Sequence, residues 1–253
     1  MGENKENRQL SVLILADFSD GSWHAISFAM QFLFQNNSCF SVLQTYQKPN
    51  FGLFMLRNLI PHLKKITKHE LKTLKTKILE NYNVEPEKIN TISLKGELNM
   101  LLRKEAALKG LHNIVIGIHG SFVDSCTMQN NCLAKIIDRS NSPLFILPQM
   151  YNVNKNNKIL FVGNTFKTPS QNMKNLILMI CKTEIDELDL LFVVENKFQK
   201  MNEEVKIFFE AHFKNIKHTI NYVINTSVCK GAKSYIKNNF KDLIIVERTN
   251  FSD

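Results

Sequence analysis

The chain has 253 residues, 44% of them hydrophobic. That is enough for one large or two modest packed domains and excludes wholesale disorder. Its 32 Lys+Arg against 23 Asp+Glu give a net charge of +9. The lysines fall singly or in short pairs on helical segments, with no long basic run and no interleaved aromatics, so the charge reads as solvated surface, with no nucleic acid and no membrane as partner. No apolar run approaches ~18 residues, so no membrane span is expected. The five cysteines (Cys39, Cys126, Cys132, Cys181, Cys229) are odd in number and form no C-x-x-C. Without a signal-peptide pattern, reduced thiols and a cytoplasmic location are expected.

Residues 1–9 are polar and expected to fray. Residues 10–18 carry Ser-Val-Leu-Ile-Leu-Ala, the near-continuous apolar run of a strand buried on both faces. Ser19 or Asp20 caps a helix whose apolar face is Trp23, Ile26, Phe28, Ala29, Met30 and Leu33. A second strand is expected over 39–46. Residues 53–82 then read as a long helix, with Lys64, Lys65, Lys68, Lys72, Lys75 and Lys77 on the wet side. Its buried stripe is Leu56, Leu59, Leu63, Ile66, Leu71, Leu74 and Ile78. A third strand over 89–94 and a helix over 96–110 follow. The apolar run Asn113-Ile-Val-Ile116 stops at a Gly-x-x-Gly turn made by Gly117 and Gly120. A polar loop, a helix from Leu133 to Ser140 and a strand over 144–147 complete five strands and four helices. Short apolar strands alternating with amphipathic helices imply parallel βαβ units with right-handed crossovers.

Residues 151–157 are rich in Asn and Lys and read as a linker, and beyond them the pattern restarts. A strand over 158–163 is followed by a helix over 168–182 with Pro169 in its first turn. Strands over 188–194, 219–224 and 242–246 alternate with helices over 201–213 and 228–240. Self-similarity of this size indicates a tandem duplication: a first domain over 1–150 and a second, degenerate one over 158–253. The second copy lacks counterparts of the 133–140 helix and the 144–147 strand. Its last strand is expected to keep an unpaired edge that invites association.

The runs Leu13-Ile-Leu-Ala-Asp-Phe-Ser19, Asn113-Ile-Val-Ile-Gly117, Ala134-Lys-Ile-Ile137 and Ser142-Pro-Leu-Phe-Ile-Leu-Pro148 resemble the universal stress protein family in its tandem form. The resemblance implies two Rossmann-like (adenine nucleotide alpha hydrolase-like) open parallel sheets in tandem, each a three-layer α/β/α. It also implies dimerisation through the last strand. ATP-binding members carry Gly, two residues, Gly, nine residues, Gly, then Ser or Thr. Here Gly117 and Gly120 fit, and Asn130 and Asn131 occupy the last two positions. Glycine there lets backbone approach phosphate at a helix N-terminus. Asparagine tolerates a left-handed backbone but fills the room a phosphate would use. By the same resemblance Asp17 would lie near the adenosine, with Ala16 and Thr45 lining the base and ribose side. In the second copy Asn164 stands near the place of Asp17, and no glycine loop follows Val246.

Each residue has two readings. The 117–131 loop either cradles phosphates or packs helix against sheet. His119 either touches a phosphate or is a solvated turn residue. Asp17 either accepts from a ribose hydroxyl or supports the first helix cap. Cys126 and Cys132 lie near the loop without a paired base, and the histidines show no ligand spacing. No hydrolase or kinase signature is present. The expected function is a non-catalytic regulatory or scaffold module acting by association, as a homodimer or with another protein. The alternative is an adenine-nucleotide sensor binding ATP or AMP with Mg through Ala16, Asp17, Thr45, Gly117, His119, Gly120, Asn130 and Asn131, or a slow ATPase of that site. The first reading needs no cofactor.

Overall fold

The computed structural model describes residues 10–34, 37–46, 59–96, 113–117, 142–148, 158–163, 167–180, 187–196 and 202–246. The chain divides into two compact units, Met1–Val153 and Asn154–Asp253.

The first unit runs β1 (Leu10–Leu15), α1 (Asp20–Phe32), β2 (Ser38–Tyr46), α2 (Leu59–Asn81), β3 (Ile89–Lys95), β4 (Asn113–Gly117) and β5 (Leu144–Leu147). The strands form one sheet in the order β3-β2-β1-β4-β5, every pair parallel. Parallel order requires cover on both faces, and the strands are apolar on both sides accordingly. Leu13, Leu15, Leu43, Ile114 and Ile116 make one buried cluster. The alternate positions Val12, Ile14, Phe40 and Val42 are equally buried. Helix α1 brings Phe28 against Phe145 of β5, with ring centroids 5.1 Å apart. On its other flank Trp23 lies under the Lys77 ammonium, 3.9 Å from the ring centroid.

Helix α2 departs from the expected stripe: Leu59 and Leu63 are half-buried, and Leu56 lies outside the described residues. Its buried residues are Thr67, Leu71, Leu74 and Ile78, while Ile66 is 53% exposed. At ~100° per residue, the row that carries Leu71, Leu74 and Ile78 passes through Thr67, and Ile66 falls a quarter-turn outside it. Apolar character gave way to helical phase. The expected helices over 96–110 and 133–140 lie outside the described residues.

The second unit runs β6 (Lys158–Gly163), α3 (Gln171–Ile180), β7 (Glu187–Val194), α4 (Glu203–Phe213), β8 (His218–Ile224), α5 (Val228–Asn238) and β9 (Leu243–Val246). Its four strands are ordered β8-β7-β6-β9, again all parallel. Helix α3 begins later than its sequence pattern suggests. Ser170 Oγ accepts from Met173 N at 3.2 Å, so Pro169 precedes the cap instead of sitting in the first turn. Asn202 and Ser227 cap α4 and α5 in the same way, through Glu204 N and Lys230 N. Phe161 and Phe192 pack on Phe209 of α4, each at 5.9 Å between ring centroids. The opposite face buries Leu160, Val162 and Leu191 beneath Val228, Ala232, Tyr235 and Ile236 of α5. Gly231 permits that approach, since a Cβ there would lie 2.7 Å from Val193 Cγ1.

Among the described residues of this unit one polar cluster is buried. Asp189 of β7 is 3% exposed. It accepts from Thr219 Oγ1 of β8 and from Tyr235 Oη of α5 at 2.6 Å, and it pairs with the Lys241 ammonium. Burial pushes the Asp189 carboxyl up. The hydrogen bonds from Lys241, Thr219 and Tyr235, with the charge of Lys241, outweigh that and hold it below its ordinary 3.8. Burial, reinforced by the hydrogen bond to Asp189 and the negative charges of Asp189 and Glu187, raises the Tyr235 phenol well above its ordinary value.

Because the folded carboxyl titrates below 3.8, its stabilising contribution is present above that pH and is lost as pH falls through the folded value. Asp189→Asn removes the nearer of the two carboxylates beside the Lys241 ammonium, leaving Glu187 at 3.8 Å, and is expected to cost up to about 3–5 kcal/mol in urea unfolding. Asp189→Leu combined with Lys241→Met is expected to recover most of that loss.

Candidate functional site

In an open parallel sheet the ligand end is the carboxyl end of the strands. Strand β1 ends at Leu15, level with Leu43 of β2 and Ile116 of β4. The ladder extends one step further, since Ala16 N donates to Leu43 O at 2.9 Å. Ala16, Asp17, Thr45 and Gly117 therefore converge on one end of three neighbouring strands. Ala16 is fully buried and Asp17 and Thr45 are half-buried. His119, Gly120, Asn130 and Asn131 lie outside the described residues, as does Asn164.

Two of the convergent residues have a local task. Asp17 Oδ1 accepts from Ser19 N at 3.0 Å and from Ser19 Oγ at 2.5 Å. Ser19 Oγ in turn accepts from Ser22 N at 3.3 Å. Asp17 thus orients the N-cap of α1, and the turn forces Phe18 between them to a φ of 62°. A left-handed backbone costs a residue with a Cβ on the order of 1–3 kcal/mol and persists only where its surroundings impose it. Here the hydrogen bonds on either side impose it, and the Phe18 ring stays 36% exposed.

Gly117 is required by packing. A Cβ at this position would stand 2.1 Å from Gly21 O and 2.4 Å from Gly21 C. The first turn of α1 rests directly on the end of β4, and no side chain fits between them. Of the two readings of this glycine, helix-on-sheet contact is visible here without any phosphate.

Sequence reasoning passed over three polar atoms near this end. Gln44 Oε1 and Ser93 Oγ are buried without a hydrogen-bond partner, as is His24 Nδ1. Gln44 and Ser93 are register partners on β2 and β3. The signal was present: Phe40, Val42 and Gln44 share a face, and the third breaks the apolar series one residue before Thr45.

Parallel strands joined by crossover helices define a Rossmann-like α/β class of fold, built twice. Within that class the fold is that of the universal stress proteins. A universal stress protein from Archaeoglobus fulgidus DSM 4304 superposes with a TM-score of 0.68 at 14% identity, covering 94% of this chain and 87% of its own. A universal stress protein from Lactobacillus plantarum matches at a TM-score of 0.45 and 14% identity, over 55% of this chain and 98% of its own. A member of the family from Burkholderia pseudomallei matches at 0.43 and 12%, over 55% of this chain and 96% of its own. No family model and no curated protein matches the chain.

Gly117→Ala is expected to destabilise the first unit by roughly 1–3 kcal/mol through overpacking, measured as a lower urea midpoint with an unchanged slope. A variant as stable as the parent would show that α1 does not rest on β4 at this point.

Proposed function

We propose that this chain is a universal stress protein acting in the cytoplasm by association, as a non-catalytic regulatory or scaffold module. The observation that carries this reading is the outer strand β9. It takes the same place beside β6 that β4 takes beside β1. All five residues of β4 are buried. In β9 only Ile245 is buried, while Ile244 and Val246 are 43% and 57% exposed. Apolar side chains left open on a strand edge favour pairing with another chain. The local tasks of Asp17 and Gly117 support the same reading, since both residues are accounted for by packing without a ligand.

A second reading is favoured by a specific observation. Ala16, Asp17, Thr45 and Gly117 share the strand end where nucleotides bind in open α/β sheets. In that reading Asp17 accepts from the ribose, Ala16 and Thr45 line the base, and His119, Gly120, Asn130 and Asn131 hold the phosphates of ATP or AMP with Mg. A slow ATPase is the same site with hydrolysis added.

A thermal-shift series with ATP and Mg²⁺ separates these. A nucleotide that binds only the folded chain adds about 2.7 kcal/mol of stability at 100 times its dissociation constant. The association reading expects no displacement of the melting curve at saturating nucleotide. A displacement would install the sensor reading, and phosphate release over hours would then identify the ATPase.

A further inference from the structure

The opposite edge of the second sheet carries a surface that its duplicate does not. Strands β3 and β8 occupy the same outer place, beside β2 and β7 respectively. On the side facing the long helix, β3 presents Thr91, Ser93 and Lys95, opposite Val42, Gln44 and Tyr46. The corresponding row of β8 is Ile220, Tyr222 and Ile224, opposite Leu190, Phe192 and Val194. These three are 37%, 48% and 49% exposed. The covering helices differ to match: α2 has 23 residues and α4 has 11. The shorter helix shelters Phe192 through Phe209 and leaves the apolar row on β8 open.

Natural sheet edges are protected by lysine, proline, bulges or cover. Strand β8 reads His-Thr-Ile-Asn-Tyr-Val-Ile, with no Lys, Arg, Asp, Glu or Pro. We propose that β8 is a homotypic interface, at which β8 of a second copy pairs antiparallel about a two-fold axis through Asn221. The strand's own sequence favours this occupant. About Asn221, Ile220 of each copy faces Tyr222 of the other, Thr219 faces Val223 and His218 faces Ile224. No charge meets a like charge, and both apolar rows fall on one face of the extended sheet. Aromatic and β-branched residues in direct opposition are the pairs that stabilise antiparallel strands.

Beside the row, Lys206 of α4 lies between Glu203 at 3.8 Å and Glu210 at 4.0 Å. This interface deepens the association reading by naming the surface that meets a second copy, and it leaves the β9 edge to a partner of another kind.

The test follows solution mass by sedimentation over a concentration series, for the parent chain, Tyr222→Lys and Thr91→Lys. Both substituted positions are on outer strands, and a thermal melt verifies that each variant folds. The expected result is an approach to twice 29.2 kDa for the parent and Thr91→Lys, and a single-chain mass for Tyr222→Lys. Asn221→Cys with Cys229→Ser is expected to yield a disulfide-linked dimer on mild oxidation. Opposed residues in antiparallel strands lie ~4.5–5.5 Å apart at Cα, within disulfide reach. A dimer that persists in Tyr222→Lys and fails to cross-link at Asn221 overturns this interface while leaving the association reading intact. A parent monomeric at every concentration overturns it as well, including when its β8 amides become protected only on adding an extended peptide. Such protection would assign the edge to a different chain.

Discussion

The first unit depends on how closely helix α1 can approach the sheet. Its opening turn rests on the end of β4 with Gly21 against Gly117, and an added Cβ would lie 2.1 Å from a backbone oxygen. That contact sets the height of the helix, so that Phe28 reaches Phe145 and Ile26 and Ala29 close over the strands. It also sets where the chain leaves β1. The turn through Asp17, Phe18 and Ser19 must cap a helix already pressed against its neighbour strand, and the left-handed Phe18 follows from that demand. The carboxyl end of the sheet is therefore shaped first by packing. Any ligand chemistry there is added to a geometry that the backbone has fixed.

Much of this was legible in the residues themselves. Apolar runs such as Val12 to Leu15 announce strands buried on both faces, and Ser19 announces the helix that follows. What escaped reading was phase and proximity. Ile66 looks like a core residue and Thr67 a surface one, yet the helical row buries the threonine. The partnership of Gly21 with Gly117 is invisible along the chain, because nearly a hundred residues separate two atoms brought together only by the fold. Asp189, an acid in the middle of a strand, gives no hint of Lys241 or Tyr235 until β7, α5 and the segment before β9 are assembled. The grouping of Ala16, Asp17, Thr45 and Gly117 was implied by the family resemblance, whereas the orphaned oxygens of Gln44 and Ser93 required knowing which strands are neighbours.

The two units show one architecture under different pressures. In the first, the outer strand β3 is polar beneath a long helix, and β5 covers β4. In the second, both outer strands show apolar side chains to solvent, and the main polar investment lies inside, around Asp189. A buried, fully hydrogen-bonded ion pair contributes little net stability but penalises every arrangement that separates its members. It ties α5 and the approach to β9 onto β7 and β8 in one register. The two sheets thus share one arrangement of strands while the chemistry of their surfaces differs.

The pairing of β6 with β9 also governs when the second unit can form. Lys158 N donates to Asp242 Oδ2, and Asp242 N donates to Lys158 O, across a sequence separation of 84 residues. At ~5–20 residues per second, the ribosome takes about 4–17 s to travel that distance. Throughout that interval Leu160 and Val162 have no neighbour on one side, and the nascent chain carries a greasy strand with an open flank. Newly made copies on one messenger are close together in that window, where premature pairing between them competes with completion of each sheet.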